Sequence, residues 1–398
     1  MTPAKILLTH RYFWPDTAPY AVMLRTIADS LADVGHEVHV FASLPSYRGV
    51  KPAPKAEKLG KISVRRVWVF AERKGNTALR VVNVLIYCIA LFFHILRQRP
   101  DVVTASSFPP VIAGLSAALA ARLTGAKFIY HLQDVHPDVS VYAGGRMGRW
   151  PIVGILRALE GIARRSAARI VVLSEDMRDT VIAGTKGKLP PIEIINNLAL
   201  DSFGAPVAPP AELQKPAGKR RVIFAGNLGR FQDLPALADG VIAGIAGRDD
   251  VEVLFLGDGD ARAALFDKWG DHPQVKFGPF LPFAKARELI ETADVGLVSL
   301  SRDIYRVSYP SKVLTYIGLG LPMLAFVESD SQLARTIEAE GLGTVPADAS
   351  PEAIADAMRR ILDEPDRRAA VQAYRTREAT SDVILAKWQA LVAEVGRG

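Results

Sequence analysis

The amino-acid sequence predicts an α/β protein made of two Rossmann-like, doubly wound parallel-sheet domains facing a cleft. Three observations carry this expectation. The chain has 398 residues, more than one hydrophobic core usually organises. Short β-branched runs alternate with longer stretches of helical periodicity, as strands joined by crossover helices do. The alternation occurs twice, on either side of a proline-rich stretch.

In the first half, strands are expected at Lys5 to Thr9, Glu37 to Ala42, Ile62 to Val69, Asp101 to Ala105, Lys127 to Leu132, Ile170 to Leu173 and Ile192 to Ile195. Between the first two, Leu24, Ile27, Leu31 and Val34 recur at helical spacing, and Gly35 is placed to end that helix. The stretch 203–218, with Pro206, Pro209, Pro210 and Pro216, reads as a linker. Strands resume at Val222 to Ala225, Val251 to Leu256, Val275 to Gly278, Val295 to Leu300 and Pro322 to Phe326. The expected organisation is a first domain over 1–202, the linker, a second domain over 219–375, and a C-terminal helix over 376–398 that packs back on the first.

With 49% hydrophobic and 23% charged residues the chain can bury two cores. Its single cysteine, Cys88, can form no internal disulfide, and no basic, apolar and cleavage-site series opens the sequence. A cytoplasmic location is the expectation. The net charge of +7 is uneven: residues 1–202 carry 26 Lys+Arg against 15 Asp+Glu, the rest 23 against 27. Twelve basic side chains fall between Arg48 and Arg99, against Glu57 and Glu72 only, so that segment expects an anionic partner.

Ligands of open parallel sheets bind beyond the carboxyl ends of the strands, and four loops there hold the candidate residues. The loop after Phe224 brings Gly226, Asn227, Gly229 and Arg230; glycines admit close backbone approach and an arginine can reach a phosphate. A second loop brings Ser308, Ser311 and Lys312, with Pro310 suited to the first position of the helix that continues through Thr315. A lysine in a first turn opposes the helix dipole, and a diphosphate between the two would resolve the conflict. A third loop, Gly257-Asp258-Gly259-Asp260, starts like a dinucleotide fingerprint, but Arg262 stands at the third glycine position, which argues against a nicotinamide dehydrogenase. The fourth, His131 to Asp138, offers His131, Asp134 and His136 as acid, base or orienting groups; its spacing is no zinc signature, and no metal is expected.

With these motifs the chain resembles glycosyltransferase family 4, and within it the bacterial exopolysaccharide, O-antigen and colanic-acid-type branch. The resemblance rests on Arg11-Tyr12-Phe13-Trp14-Pro15, the run from Leu31 to Val40, Gln133-Asp134-Val135-His136-Pro137, Phe224 to Gly229, and Pro310-Ser311-Lys312 leading to Gly320-Leu321-Pro322. It implies a GT-B fold, retention of anomeric configuration, no divalent metal and no cofactor beyond a nucleotide diphosphate-sugar co-substrate. The base would lie by Pro279 and Phe280. The family pattern is broken where Asn227 and Gln232 replace an arginine and a lysine, Val307 and Thr315 replace two glutamates, Gln133 replaces a histidine and Ala18-Pro19 replaces a glycine pair. Arg230 and Lys312 must then supply the positive charge that a departing diphosphate needs.

The run Val81 to Leu96, apolar but for Asn83, Tyr87 and His94, is slightly short for a membrane span. It reads either as a buried helix of the first domain or as an interfacial helix, the latter matching a polyprenyl-linked saccharide acceptor and an anionic membrane surface. Trp150 to Arg157 is a second amphipathic candidate. A nucleotide-sugar epimerase and a non-catalytic nucleotide-binding scaffold are the alternatives. Nucleic acid is disfavoured, since the basic stretch has no recognisable nucleic-acid module.

Overall fold

The computed structural model describes residues 3–16, 18–45, 52–71, 76–142, 144, 149–199, 207–364 and 366–396. The chain forms two compact units: Met1–Asn197 with Ile384–Gly398, and Leu198–Val383. The first boundary therefore falls five residues before the one read from the sequence, and the return to the first unit begins at Ile384 rather than at 376.

The first unit is built on eight strands: β1 (Lys5–Thr9), β2 (Glu37–Ser43), β3 (Ala56–Leu59), β4 (Ile62–Val67), β5 (Val102–Ser106), β6 (Lys127–His131), β7 (Arg169–Val172) and β8 (Ile192–Ile194), in the order β3-β4-β2-β1-β5-β6-β7-β8. All neighbours are parallel except β3 and β4, a hairpin turned at Gly60 with φ +62°. The short polar β3 has no apolar alternation, so its sequence carried no strand signal. It changes the meaning of the basic stretch: Arg66 is buried, paired with Glu57 at 2.6 Å and donating to the carbonyls of Pro54 and Trp14. Lys61 pairs with Asp33. Arg48, Lys51, Arg73, Lys74 and Glu72 lie outside the described residues.

The apolar run belongs to a longer helix, Thr77–Gln98, 22 residues, long and apolar enough to cross a membrane by length and composition. Asn76 caps it, its side chain accepting from the Leu79 amide, and Arg99 in the left-handed region ends it. One face, with Asn83, Tyr87, Cys88, Leu91 and Ile95, is buried. Asn83 is polar for a reason: its amide donates to and accepts from the backbone of Phe70. On the other face Val81, Val82, Leu85, Ile89 and Phe93 are all more than 40% exposed. The helix buries one stripe and leaves an apolar stripe open.

The second unit has six strands, β9 (Arg220–Ala225), β10 (Val251–Leu256), β11 (Val275–Gly278), β12 (Val295–Ser299), β13 (Met323–Phe326) and β14 (Gly343–Thr344), in the order β11-β10-β9-β12-β13-β14, all parallel. Two buried apolar layers sandwich the sheet, one around Leu289, Tyr316 and Ile337, the other around Leu237, Val241 and Met358. The expected linker is part of this unit from Val207 on. The Val207 amide bonds to the Ala284 carbonyl and Leu213 joins the core, because an apolar side chain among prolines is better buried than exposed; residues 203–206 are outside the described ones. The C-terminal helix, Ser381–Val395, packs on the first unit, where Gln389 bonds to Ser30 and Glu394 to Arg169.

Candidate active site

In the second unit the loops after β9 and β10 lie backbone against backbone. Gly257, with φ +147°, comes so near that a Cβ on it would stand 1.8 Å from the Gly226 carbonyl oxygen. Gly226, with φ +127°, leaves room for a different neighbour: a Cβ there would be 3.2 Å from Lys312 Cε. Only glycine satisfies both the left-handed backbone and the approach. The bonds Gly226 N to Leu256 O and Leu228 N to Asp258 O hold the two loops in place.

Lys312 sits in the first turn of the helix Ser311–Gly318, its Nζ 4.5 Å from the centre of the Phe224 ring. Pro310, expected at the first helical position, is instead the cap residue. Burial pulls the Lys312 ammonium down to about 8, and among the described residues no carboxylate pairs with it. A desolvated cation beside a helix N-terminus, without a counter-charge, is a place for an anion.

The other expected residues divide. Asn227 is exposed, and Gln232 turns its carboxamide oxygen to the Gly229 amide at 3.2 Å, closing the loop instead of facing outward. The Arg230 backbone lies in a short 3-10 turn with Gln232; its side chain lies outside the described residues. Ser308 is half-buried and Ser311 exposed, while the Thr315 hydroxyl donates within its own helix to the Ser311 carbonyl. Pro279 and Phe280 are exposed where β11 ends, Phe280 to 64%. Arg262, which the sequence offered only as a missing glycine, donates to the carbonyls of Gly257 and Gly278 and so ties the ends of β10 and β11 together.

In the first unit β6 delivers His131 to a buried position, where desolvation pulls its imidazole down to about 3. Its Nδ1 is 3.0 Å from the Tyr20 hydroxyl and its Nε2 2.7 Å from Gln133 Nε2. Gln133 in turn makes a reciprocal amide pair with Asn197. The hydroxyl of Ser107 accepts from the amides of Gln133 and Asp134 and fixes the strand exit. Burial pulls the His136 imidazole below its ordinary value, opposed by the nearby Asp134. Its carbonyl accepts from Arg164, which also reaches Thr185 and Glu160. Burial raises the Glu160 carboxyl to about 7, and Tyr130 donates to it at 3.0 Å. Residue types alone did not single out Tyr20, Ser107, Asn197 or Arg164; the available signal was Asn196-Asn197 directly after an apolar strand.

The arrangement in the second unit can hold a phosphate group, and that in the first can hold and orient hydroxyls. Comparison with known proteins agrees with the resemblance read from the motifs. Residues 20–197 match the family described as glycosyl transferase 4-like domain, and residues 219–364 that described as glycosyl transferases group 1. A relative named as a glycosyltransferase, WbjE of Pseudomonas aeruginosa, is 26% identical over 67% of this chain and 66% of its own length, just under two thirds. A relative named for colanic acid biosynthesis, the glycosyl transferase WcaI of Escherichia coli, is 22% identical over 96% of this chain and 98% of its own. Among solved structures, HepE of Anabaena in complex with UDP and glucose superposes with a TM-score of 0.65 at 14% identity, covering 98% of each chain. That likeness concerns the fold, which is GT-B.

Proposed function

The chain belongs to the glycosyltransferases, a 4-like domain followed by a group 1 domain, and we propose that it moves a sugar from a nucleotide diphosphate-sugar to a saccharide acceptor in bacterial surface-polysaccharide synthesis. The observation that carries this reading is Lys312, a half-buried ammonium in the first turn of a helix and against the Gly226 turn, with no carboxylate paired to it among the described residues. As the bond from the anomeric carbon to the diphosphate oxygen breaks, negative charge grows on the leaving group. A cation and helix amides already in position stabilise that charge more than they stabilise the bound donor, which lowers the barrier. Such charge can replace a divalent metal.

The acceptor oxygen would bond to the anomeric carbon from the face the diphosphate leaves, so the configuration is retained, and its proton passes to the departing phosphate oxygen. The relative HepE, solved with UDP and glucose, supports a uridine nucleotide as the first donor to try. The names of WcaI and WbjE support a polysaccharide product. A polyprenyl-diphosphate-linked acceptor fits the open apolar stripe of Thr77–Gln98, and Trp68 and Phe70 of the same unit are also exposed. This face would rest on an anionic membrane at the cytoplasmic side.

The test is release of the nucleotide diphosphate from a panel of uridine and guanosine diphosphate-sugars, with and without a bacterial lipid-linked saccharide fraction. Acceptor-dependent release with one donor is the expected result. Binding without release would reduce the chain to a nucleotide-binding scaffold, and release of an altered nucleotide-sugar without acceptor would make it an epimerase.

A further inference from the structure

The four polar side chains Tyr20, His131, Gln133 and Asn197 form one continuous hydrogen-bonded line in the first unit. Their directions follow from the orientation of the Gln133 carboxamide. Gln133 Oε1 faces Asn197 Nδ2 at 2.7 Å, an amide oxygen receiving an amide hydrogen. Gln133 Nε2 therefore gives one hydrogen to Asn197 Oδ1 at 3.1 Å and its other to His131 Nε2 at 2.7 Å. A carboxamide nitrogen only donates, so His131 Nε2 is the acceptor and the single proton of the neutral ring is on Nδ1. That proton points to the Tyr20 oxygen at 3.0 Å, which leaves the tyrosine's own hydrogen to be given elsewhere.

The line is rigid. Two backbone amides on Ser107 hold the Gln133 end, and the Trp388 ring packs on His131 with centroids 4.9 Å apart. Deep burial keeps the imidazole uncharged at any working pH, so the tautomer does not titrate away. Tyr20 stands in the first turn of the helix Pro19–Asp33, at the carboxyl end of β1 and half-buried, where ligands of a parallel sheet bind.

We infer that Asn197 and Gln133 are positioning residues that lock His131 in its Nδ1-protonated form, and that this makes the Tyr20 hydroxyl a hydrogen-bond donor to the saccharide acceptor. The acceptor half rests on the glycosyl-transfer reading; the tautomer half does not. Asn197 is also the last residue of the first unit before the chain enters the second, so the lock is set at the point where the two units join in sequence.

The first experiment is nitrogen-resolved NMR of the protein labelled at histidine, without substrate. A pyrrole-type Nδ1 and a pyridine-type Nε2 at His131, unchanged from pH 6 to 9, are expected. The opposite tautomer in the wild-type protein overturns the proposal, and because that spectrum needs no variant it is decisive even if substitutions unfold the chain. Gln133→Glu puts a carboxylate oxygen, which only accepts, against His131 Nε2 in place of the donating amide nitrogen, and should move the ring proton to Nε2. An Nε2 that stays pyridine-type in a folded Q133E sinks the role given to Gln133. In the transfer assay, Tyr20→Phe and Q133E should each lower kcat/KM for the acceptor about 10-fold or more while leaving KM for the donor within about twofold. An equal loss on the donor side, or none at all, overturns the acceptor half and leaves the tautomer result standing by itself.

Discussion

Lys312 decides the electrostatics at the scale of single residues. Its ammonium is present below about pH 8 and lost as pH rises through that value, because burial disfavours the charged form. Transfer that depends on this charge should show kcat/KM falling above pH about 8, whereas an exposed lysine would hold to about 10.4. Lys312→Arg should remove that alkaline limb, and Lys312→Ala should lower kcat on the order of 100-fold with a smaller change in donor affinity. A flat profile to pH 10 in the wild-type enzyme would take Lys312 out of the reaction. Glu160 shows the opposite sign. Its carboxyl is held at about 7, above the ordinary value of 4.5, so the folded state binds its proton more tightly. The stability it contributes is complete below about pH 4.5 and lost as pH rises through 7. Unfolding in urea across that interval should show the loss, and Glu160→Gln should flatten it.

Loops and helices act as units where their backbones touch. The turn at Gly257 is the clearest case, since a methyl group there meets the Gly226 carbonyl at 1.8 Å and the backbone must move to accept it. Gly257→Ala is expected to cost about 2 kcal/mol, which lowers Tm by roughly 4–8 °C in a domain of this size. It should also weaken nucleotide diphosphate binding, because the displaced loop is the one that Lys312 packs against. Calorimetry and a nucleotide titration check both. For the helix Thr77–Gln98, the exposed stripe makes a different prediction: Ile89→Glu with Phe93→Glu should leave Tm within a few degrees, since both side chains are about 60% exposed, yet abolish flotation with anionic liposomes. Flotation equal to wild type would return the stripe to an ordinary exposed surface.

For the molecule as a whole, charge and apolar surface point to the same unit. Basic side chains near an anionic bilayer contribute about 1 kcal/mol each, but Arg66 is spent on Glu57 inside the fold and Lys61 on Asp33. Lys55, Lys58, Arg65, Arg80, Arg97 and Arg99 remain for the surface, so flotation should weaken with salt without vanishing, the apolar stripe supplying the rest. Transfer is expected to survive EDTA, since the diphosphate charge is met by Lys312 and helix amides in the proposed reaction; complete loss restored by magnesium would overturn this.

The sequence by itself determined the two parallel sheets, because strands buried on both faces must be apolar runs and crossover helices must be periodic, and both patterns are local. It also marked Gly226, Gly257 and Lys312, since a glycine after a strand and a lysine in a first turn are legible without neighbours. What only the tertiary structure decided were the relations between distant positions. Arg262 looked like a lost glycine until β10 and β11 brought two carbonyls to it. Arg66 counted as surface charge until the polar strand β3, with no period to announce it, placed Glu57 beside it. Asn197 and Gln133 lie 64 residues apart and meet across the ends of β6 and β8. Hydrogen bonds and ion pairs depend on distance and direction in space, and no composition, spacing or periodicity records which remote side chains the fold sets face to face.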